Sequence, residues 1–149
     1  MNILYCDDDQ DDVEAFTHAI AQIDSSIDYE IAYDGTEALD MLLVQHLRPD
    51  AIFIDLHMPK LGGREFVIAV RRNKELKDIP LIILSGSIEK KHIEQFNKMG
   101  VYYFLSKSSV EKELHDALKS ILLRIPGHKL TISDGPSENY SFEKLRFKV

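Results

Sequence analysis

The chain has 149 residues, of which 44% are hydrophobic and 29% are charged, and its formal net charge is −7. This length suits one domain with a good hydrophobic core plus a short tail, rather than two independent domains. Because sequence-independent nucleic-acid binding requires lysine and arginine to neutralise phosphates, the acidic charge balance argues against nucleic acid as a direct partner. The chain has a single cysteine, no run of about 18 apolar residues and no signal-peptide pattern. We therefore expect a cytoplasmic protein without a membrane partner.

Strand-like and helix-like patterns alternate along the chain. Short apolar runs predict buried strands, whereas apolar residues at helical spacing predict amphipathic helices. The predicted strands cover residues 3–6, 29–33, 51–54, 81–84 and 101–105. A helix is predicted after each strand, and the third begins near Arg64. Five strands alternating with five helices indicate an α/β, doubly wound fold with a parallel sheet and right-handed crossovers.

Two helix starts and one helix end carry specific signals. Ser87 is a candidate N-cap of the fourth helix, and Gly100 is a candidate C′ residue at its end. Ser108 and Glu111 have the spacing of a capping box at the start of the fifth helix.

Polar residues stand at the ends of four of the predicted strands. Asp7 and Asp8 follow the first strand, Asp55 follows the third, Ser85 follows the fourth, and Lys107 follows the fifth. In doubly wound folds, ligands bind beyond the carboxyl ends of the strands, so these side chains should meet in one crevice. Carboxylates about 4 Å apart repel by roughly 4 kcal/mol at an effective dielectric of 20, which predicts a divalent metal among them.

This pattern resembles the receiver domain of two-component response regulators. The resemblance covers residues 2 to about 124, and it includes Met58-Pro59 and Gly63 downstream of Asp55. It implies a flavodoxin-like three-layer sandwich with strand order 2-1-3-4-5. This strand order is that of the family and is not predicted from the residues themselves.

The resemblance also implies a phosphoryl-transfer site. Asp55 would accept a phosphoryl group from a histidine kinase or histidine phosphotransfer protein and become an aspartyl phosphate. Asp8, Asp55 and the main-chain carbonyl of His57 would ligate Mg²⁺, with Asp7 acting mainly through a bound water. Lys107 and the metal would neutralise charge on the transferring group.

A switch follows from the same resemblance. Ser85 would hydrogen-bond a phosphate oxygen, and Phe104 stands where the family has an aromatic residue that changes rotamer, often tyrosine. Because Phe104 has no hydroxyl, coupling would rest on packing. We expect a stand-alone signalling module that changes its affinity for a downstream protein target, and not a turnover enzyme.

The chain departs from the family pattern at several positions. Ser108 follows the lysine where the family usually has a cis-proline that orients it, and Gly62 replaces a common aspartate. Gly86 leaves space beside the phosphate, and His57 and Ser87 occupy positions that tune the lifetime of the phosphate. The start of the chain is similar to that of stand-alone receivers near bacteriophytochrome-type kinases, through Asp7-Asp8-x-x-Asp11-Asp12-Val13-Glu14.

Two other functions remain open from the sequence. Asp7 and Asp9 could form the DxD of a haloacid-dehalogenase-like phosphatase with Asp7 as nucleophile, or the fold could act as an unphosphorylated scaffold. Asp9, Asp11 and Asp12 are interpreted as charges at a helix N-terminus rather than as metal ligands.

We divide the chain into a receiver domain, residues 1–125, and a tail, residues 126–149, that serves as a linker or docking arm. Leu145, Phe147 and Val149 alternate with basic residues, as in an amphipathic strand. The tail is therefore either disordered or an arm that docks on its own domain or on a second protomer, which makes a homodimer possible.

Overall fold

The computed structural model describes residues 1–86, 89–101, 103–107 and 111–126, and for residue 106 it describes the backbone alone. The strands are β1 (Asn2–Cys6), β2 (Asp28–Ala32), β3 (Ala51–Ile54), β4 (Leu81–Ser85) and β5 (Tyr103–Ser106). The helices are α1 (Gln10–Ile23), α2 (Gly35–Leu43), α3 (Gly63–Arg72), α4 (Lys90–Lys98) and α5 (Glu111–Leu122). The strands form one parallel sheet in the order β2-β1-β3-β4-β5, which confirms the predicted fold class and strand order.

Each face of the sheet carries a hydrophobic core, because successive side chains of a strand point to opposite faces. On one face, Tyr5 and Phe53 pack with side chains of α1 and α5, including Phe16. On the other face, Cys6 and Ile52 pack with side chains of α2, α3 and α4. Apart from Asn2 and Ser85 at their ends, the strands β1, β3 and β4 consist of buried apolar residues because they are covered on both faces.

Side-chain caps fix where the first two helices begin. Asp9 is the N-cap of α1, and its carboxylate accepts hydrogen bonds from the N–H groups of Asp11 and Asp12 at 2.9 and 3.3 Å. Asp34 caps α2 by accepting from the N–H of Glu37 at 2.8 Å. The interpretation of the acidic residues at the start of α1 as helix-end charges is therefore confirmed. Within the described part of the chain, every helix is too short or too polar to cross a membrane.

Some element boundaries differ from the prediction. The N-cap of α4 is Glu89 rather than Ser87, so the prediction for Ser87 was wrong, and residue 87 itself lies outside the described residues. Gly100 follows the end of α4 with φ of +77°, the left-handed conformation expected of a C′ glycine. The strand β5 begins at Tyr103, two residues later than predicted, and α3 begins at Gly63.

The predicted capping box of α5 and the predicted tail include residues outside the described part of the chain. Ser108 and residues 127–149 lie outside the described residues. The division into residues 1–125 and 126–149 therefore stays a prediction.

Candidate functional site

Backbone hydrogen bonds extend the sheet by one residue beyond three of its strands. The N–H groups of Asp7, Asp55 and Lys107 donate to carbonyls of the neighbouring strands β2, β1 and β4 at 3.0, 2.9 and 3.0 Å. The backbone of each of these residues is therefore held by the sheet. These residues therefore meet at the carboxyl edge of the sheet, where the crevice was predicted, and their backbones are positioned by regular structure rather than by free loops.

Three carboxylates meet in this crevice. Asp7, Asp8 and Asp55 each offer an oxygen, and these oxygens all lie within 4.8 Å of one another. Asp7 and Asp55 are buried, whereas Asp8 is exposed. One oxygen of Asp55, Oδ2, accepts a hydrogen bond from the N–H of His57 at 3.2 Å. The other, Oδ1, is buried and has no hydrogen-bond partner among the described residues.

A buried carboxylate oxygen that accepts no hydrogen bond and lies beside two more carboxylates is suited to bind a divalent cation. Mg²⁺ prefers oxygen ligands and keeps several waters, which the exposed position of Asp8 allows. The structure brings together Asp7, Asp8 and Asp55, the three predicted side-chain ligands. The role of the His57 carbonyl stays a prediction, since the described contact of His57 is its N–H donated to Asp55.

Lys107 is the cation of the site. Its Nζ lies 2.8 Å from Asp7 Oδ2, 2.8 Å from Asp12 Oδ2 and 3.6 Å from Asp55 Oδ1. Burial alone lowers the pKa of Lys107, but the hydrogen bonds from its ammonium to Asp12 and Asp7 and the charge of Asp55 raise that pKa more, so the net shift is upward. The ammonium is therefore fully charged at neutral pH.

The pKa of Asp55 is raised, whereas the pKa of a carboxyl paired with a cation is usually lowered. Burial raises the pKa of Asp55, and the neighbouring charge of Asp7 raises it further, against the lowering effects of Lys107 and of the N–H groups of His57 and Leu56. The net shift is upward because positive charge around Asp55 does not offset its removal from water. A cation bound beside it would favour the ionised form of this carboxyl.

Tyr5 is a site residue that was not predicted from the sequence. This fully buried side chain stacks on Phe16 with ring centroids 4.1 Å apart, and its hydroxyl donates to Asp7 Oδ2 at 2.5 Å. Burial and the charge of Asp7 raise the pKa of Tyr5, so the phenol stays protonated and remains a donor. A signal existed, because residues two apart in a strand face the same side of the sheet.

Asp7 is consequently surrounded by donors from the protein. Its Oδ2 accepts from Tyr5 and Lys107, and its Oδ1 accepts from the N–H of Asp9 at 3.0 Å. Each oxygen of Asp7 thus has a protein partner, in contrast to Oδ1 of Asp55.

Asp12 is a second site residue that sequence reasoning did not find. It lies in the first turn of α1 rather than at a strand end. The sequence predicted this position at a helix N-terminus but not a place in the site. Its carboxylate also pairs with Lys107. No spacing along the sequence predicts the contact between Asp12 and Lys107, because this contact depends on how α1 packs against the sheet.

Ser85 and Phe104, the predicted switch residues, are both buried. Ser85 ends β4, and its carbonyl accepts the N–H of Lys107, so both residues are placed by the same pair of strands. Phe104 pairs with Ile83 of β4, and its ring lies 6.4 Å from that of Phe96 on α4. The rings of Phe104 and Phe96 are thus a point of contact between β5 and α4. The switch roles themselves stay predictions.

Gly63, at the start of α3, lies very close to the backbone of Asp55 and Leu56. A Cβ added at Gly63 would lie 2.5 Å from the carbonyl oxygen of Asp55 and 2.8 Å from Leu56 Cα, so this position requires glycine. Gly62 is the N-cap of α3 and makes no side-chain cap hydrogen bond. Lys60, with φ of +62°, joins the loop after Asp55 to the N-cap of α2 by a 2.6 Å contact with Asp34.

Gly86 differs from Gly63 in its surroundings. An added Cβ there would meet no atom of the described chain within 4 Å, so Gly86 has open space around it, while the position of this space beside a phosphate stays a prediction. The proposed effects of Ser87 and Ser108 stay predictions, since both residues lie outside the described part of the chain.

Fold and site together define a class of signalling protein. Residues 3–119 match the model of the response regulator receiver domain, and the chain belongs to that family. Receiver domains are signalling proteins rather than turnover enzymes. The resemblance to receiver domains, which was based on the five residues at the strand ends, is thereby confirmed.

Several named response regulators are similar to this chain in sequence or in structure. It is 33% identical over 104 residues to the response regulator Rcp1 of Synechocystis sp., which covers 65% of this chain and 71% of that protein. The crystal structure of the Mn²⁺-bound form of Rcp1 superimposes with a TM-score of 0.74 at 26% identity, covering 87% and 97% of the two chains. The phosphorylated cyanobacterial phytochrome response regulator RcpA gives a TM-score of 0.77 at 27% identity, with the same coverage. Against other curated relatives, such as MprA of Mycobacterium avium, the chain spans about half their length, 52%.

Proposed function

We propose that Asp55 accepts a phosphoryl group from a histidine kinase or histidine phosphotransfer protein, and that phosphorylation changes the affinity of the chain for a downstream protein. One observation carries the proposal. Oδ1 of Asp55 is buried and accepts no hydrogen bond from the described residues, and it lies 3.6 Å from the Lys107 ammonium and beside two further carboxylates. This oxygen is free to form a bond, and its neighbours suit a cation and a phosphoryl group.

The transfer is a simple exchange of bonds. The Asp55 carboxylate oxygen forms the new P–O bond while the P–N bond to the donor histidine breaks, and the imidazole nitrogen keeps the electron pair. Lys107, held by Asp7 and Asp12, offers positive charge to the phosphoryl oxygens. Asp8, Asp55 and the His57 carbonyl would hold Mg²⁺, with Asp7 acting through a bound water, and the bound ion supplies further positive charge to the transferring group.

The phosphoryl group would be sensed through Ser85. Its hydroxyl would hydrogen-bond a phosphate oxygen, and the movement of the β4 end would reach α4 through Phe104 and Phe96. We place this function in residues 1–125 in the cytoplasm, with residues 126–149 as a tail. Several of the similar structures are response regulators of phytochromes by name, including RcpA and AtBRR, which supports a phytochrome-type kinase as the donor.

The same contacts favour Asp55 over Asp7 as the nucleophile. A phosphatase of the haloacid-dehalogenase type would need a free oxygen on Asp7, yet both of its oxygens accept hydrogen bonds from the protein. A lone pair already engaged by Tyr5 or Lys107 is a poorer nucleophile than one that has no donor.

The test compares wild type with Asp55→Asn and Asp7→Asn after incubation with acetyl phosphate and Mg²⁺, using intact mass, and with beryllofluoride, using fluorine NMR. We expect an adduct that is lost in Asp55→Asn. Steady phosphatase turnover that disappears in Asp7→Asn would instead support the phosphatase. Absence of an adduct in every protein would support an unphosphorylated scaffold.

A further inference from the structure

Lys107 has a partner in this structure that the phosphoryl-transfer chemistry does not require. Its Nζ lies 2.8 Å from Asp12 Oδ2, as close as it lies to Asp7 and closer than the 3.6 Å that separates it from Asp55. An ammonium has three N–H donors, and Asp7 and Asp12 engage two of them. The cation of the site is thus shared with a carboxylate from α1.

Asp12 differs from the other carboxylates around Lys107. The group of described acidic residues able to hold a metal consists of Asp7, Asp8 and Asp55, and Asp12 is not among them. Its backbone is held by the N-cap Asp9, so its carboxylate is presented to Lys107 from the first turn of α1. The Asp12 side chain is 36% exposed, whereas that of Lys107 is 17% exposed.

The charge of Asp12 opposes the chemistry at Asp55 in two ways. A phosphoryl group on Asp55 adds negative charge near a carboxylate that is already negative, and like charges repel. It also draws on the ammonium that Asp12 now binds, since a hydrogen bond from Lys107 to a phosphoryl oxygen weakens or replaces the one that Lys107 donates to Asp12 at 2.8 Å. Both effects favour the unphosphorylated protein.

We propose that Asp12 competes with the phosphorylated Asp55 for Lys107, and so limits how readily this receiver is phosphorylated. The inference rests on the proposed function of Asp55. It makes Asp12 a positioning residue that acts through the lysine, and not a ligand of the metal or of the phosphoryl group.

The test measures the concentration of beryllofluoride that half-saturates the protein, by fluorine NMR at saturating Mg²⁺, for wild type, Asp12→Asn and Asp11→Asn. Asp11 is the matched control, because it is the exposed neighbour of Asp12 in the same helical turn and loses the same charge. A partly exposed ion pair contributes up to about 1 kcal/mol, so we expect Asp12→Asn to lower that concentration about two- to fivefold. Asp11→Asn should stay near the wild-type value.

A second measurement separates the lysine from the metal. The dissociation constant for Mg²⁺ alone, without beryllofluoride, should be alike in Asp12→Asn and Asp11→Asn, because neither residue belongs to the carboxylate group around Asp55. An Mg²⁺ affinity that changes in Asp12→Asn by as much as the beryllofluoride affinity would overturn the proposal. Thermal denaturation of each variant checks that α1 remains folded.

The two proposals fail in different ways. If wild type binds no beryllofluoride, or if binding survives Asp55→Asn, the proposed function is wrong. If wild type binds through Asp55 but Asp12→Asn binds no more tightly than Asp11→Asn, or binds more weakly, the competition by Asp12 alone is wrong.

Discussion

Asp55 combines burial with negative charge and with one oxygen that has no donor in the described chain. Burial and the charge of Asp7 raise its pKa. A carboxyl whose pKa is raised by folding stabilises the folded state below its unfolded pKa, about 3.9, and loses that contribution as pH rises through the folded pKa. Without a cation, ionised Asp55 therefore destabilises the protein near neutral pH.

We expect Asp55→Asn to be more stable than wild type in EDTA at pH 7, by about 1 kcal/mol, because a buried charge that its partners do not fully offset is removed. The difference should narrow as pH falls toward about 4, where the wild-type carboxyl becomes neutral as well. Urea denaturation at several pH values measures both effects, with Asp11→Asn as the exposed control. A variant that is less stable than wild type at pH 7 would contradict this account.

Tyr5 provides the second prediction at the level of single residues. In Tyr5→Phe the buried Asp7 loses the hydroxyl donor at 2.5 Å but keeps Lys107. Removing one partner of a buried charged group costs about 1–3 kcal/mol, so we expect a loss of that size in the free energy of unfolding. Tyr29→Phe is the control because Tyr29 is exposed on the edge strand β2. Equal urea midpoints for Tyr5→Phe and wild type would show that the hydrogen bond contributes nothing.

At the level of elements, the buried strands were predictable because their composition reflects burial on both faces. The start of α4 was not, since Ser87 is a good cap by residue type while the helix begins after Glu89. The missed boundary of β5 has a similar cause. Val101 lies outside the strand and Tyr103 pairs with Ile82 of β4, and a local apolar run such as 101–105 does not reveal the register of its neighbour.

The junction of β3 and α3 gives a prediction at this scale. In Gly63→Ala the new Cβ would meet the Asp55 carbonyl oxygen at 2.5 Å, which is backbone and cannot turn away as a side chain can. We expect a loss of at least about 2 kcal/mol in unfolding free energy and weaker beryllofluoride binding, because the segment that carries Asp55 must shift.

Gly86→Ala is the matched control for Gly63→Ala. It adds the same methyl group near the same site, where no described atom lies within 4 Å. We expect its stability to remain within about 0.5 kcal/mol of wild type. A Gly63→Ala protein as stable as Gly86→Ala would show that the close approach at Asp55 is not a constraint. Both stabilities are read from urea denaturation.

At the level of the whole molecule, a net charge of −7 and a group of three carboxylates predict that divalent cations stabilise the folded state. A ligand that binds only the folded state stabilises it by about 2.7 kcal/mol at 100 times its dissociation constant. We expect Mg²⁺ to raise the melting temperature of wild type, and Asp8→Asn to lose most of that increase.

The control for this experiment is Asp28→Asn, which removes one exposed carboxylate at the amino end of β2, away from the strand ends that carry the site. Its Mg²⁺-dependent increase in melting temperature should match that of wild type, as measured by differential scanning calorimetry. If Asp28→Asn and Asp8→Asn respond alike, Mg²⁺ acts on the overall charge of the protein and not on the predicted site.

The α/β class and the parallel sheet could be predicted from the amino-acid sequence, and the resemblance to receiver domains supplied the strand order. The sequence also predicted that Asp7, Asp8, Asp55, Ser85 and Lys107 lie at one edge of the sheet. These features follow from local patterns, because residues at the carboxyl ends of parallel strands must share one edge. Which of these groups touch one another depends on the packing of the folded chain. The contacts of Asp12 with Lys107 and of Tyr5 with Asp7 depend on how α1 lies against the sheet and on how far each side chain reaches. Such distances are set by the packing of both cores, and no spacing along the chain encodes them.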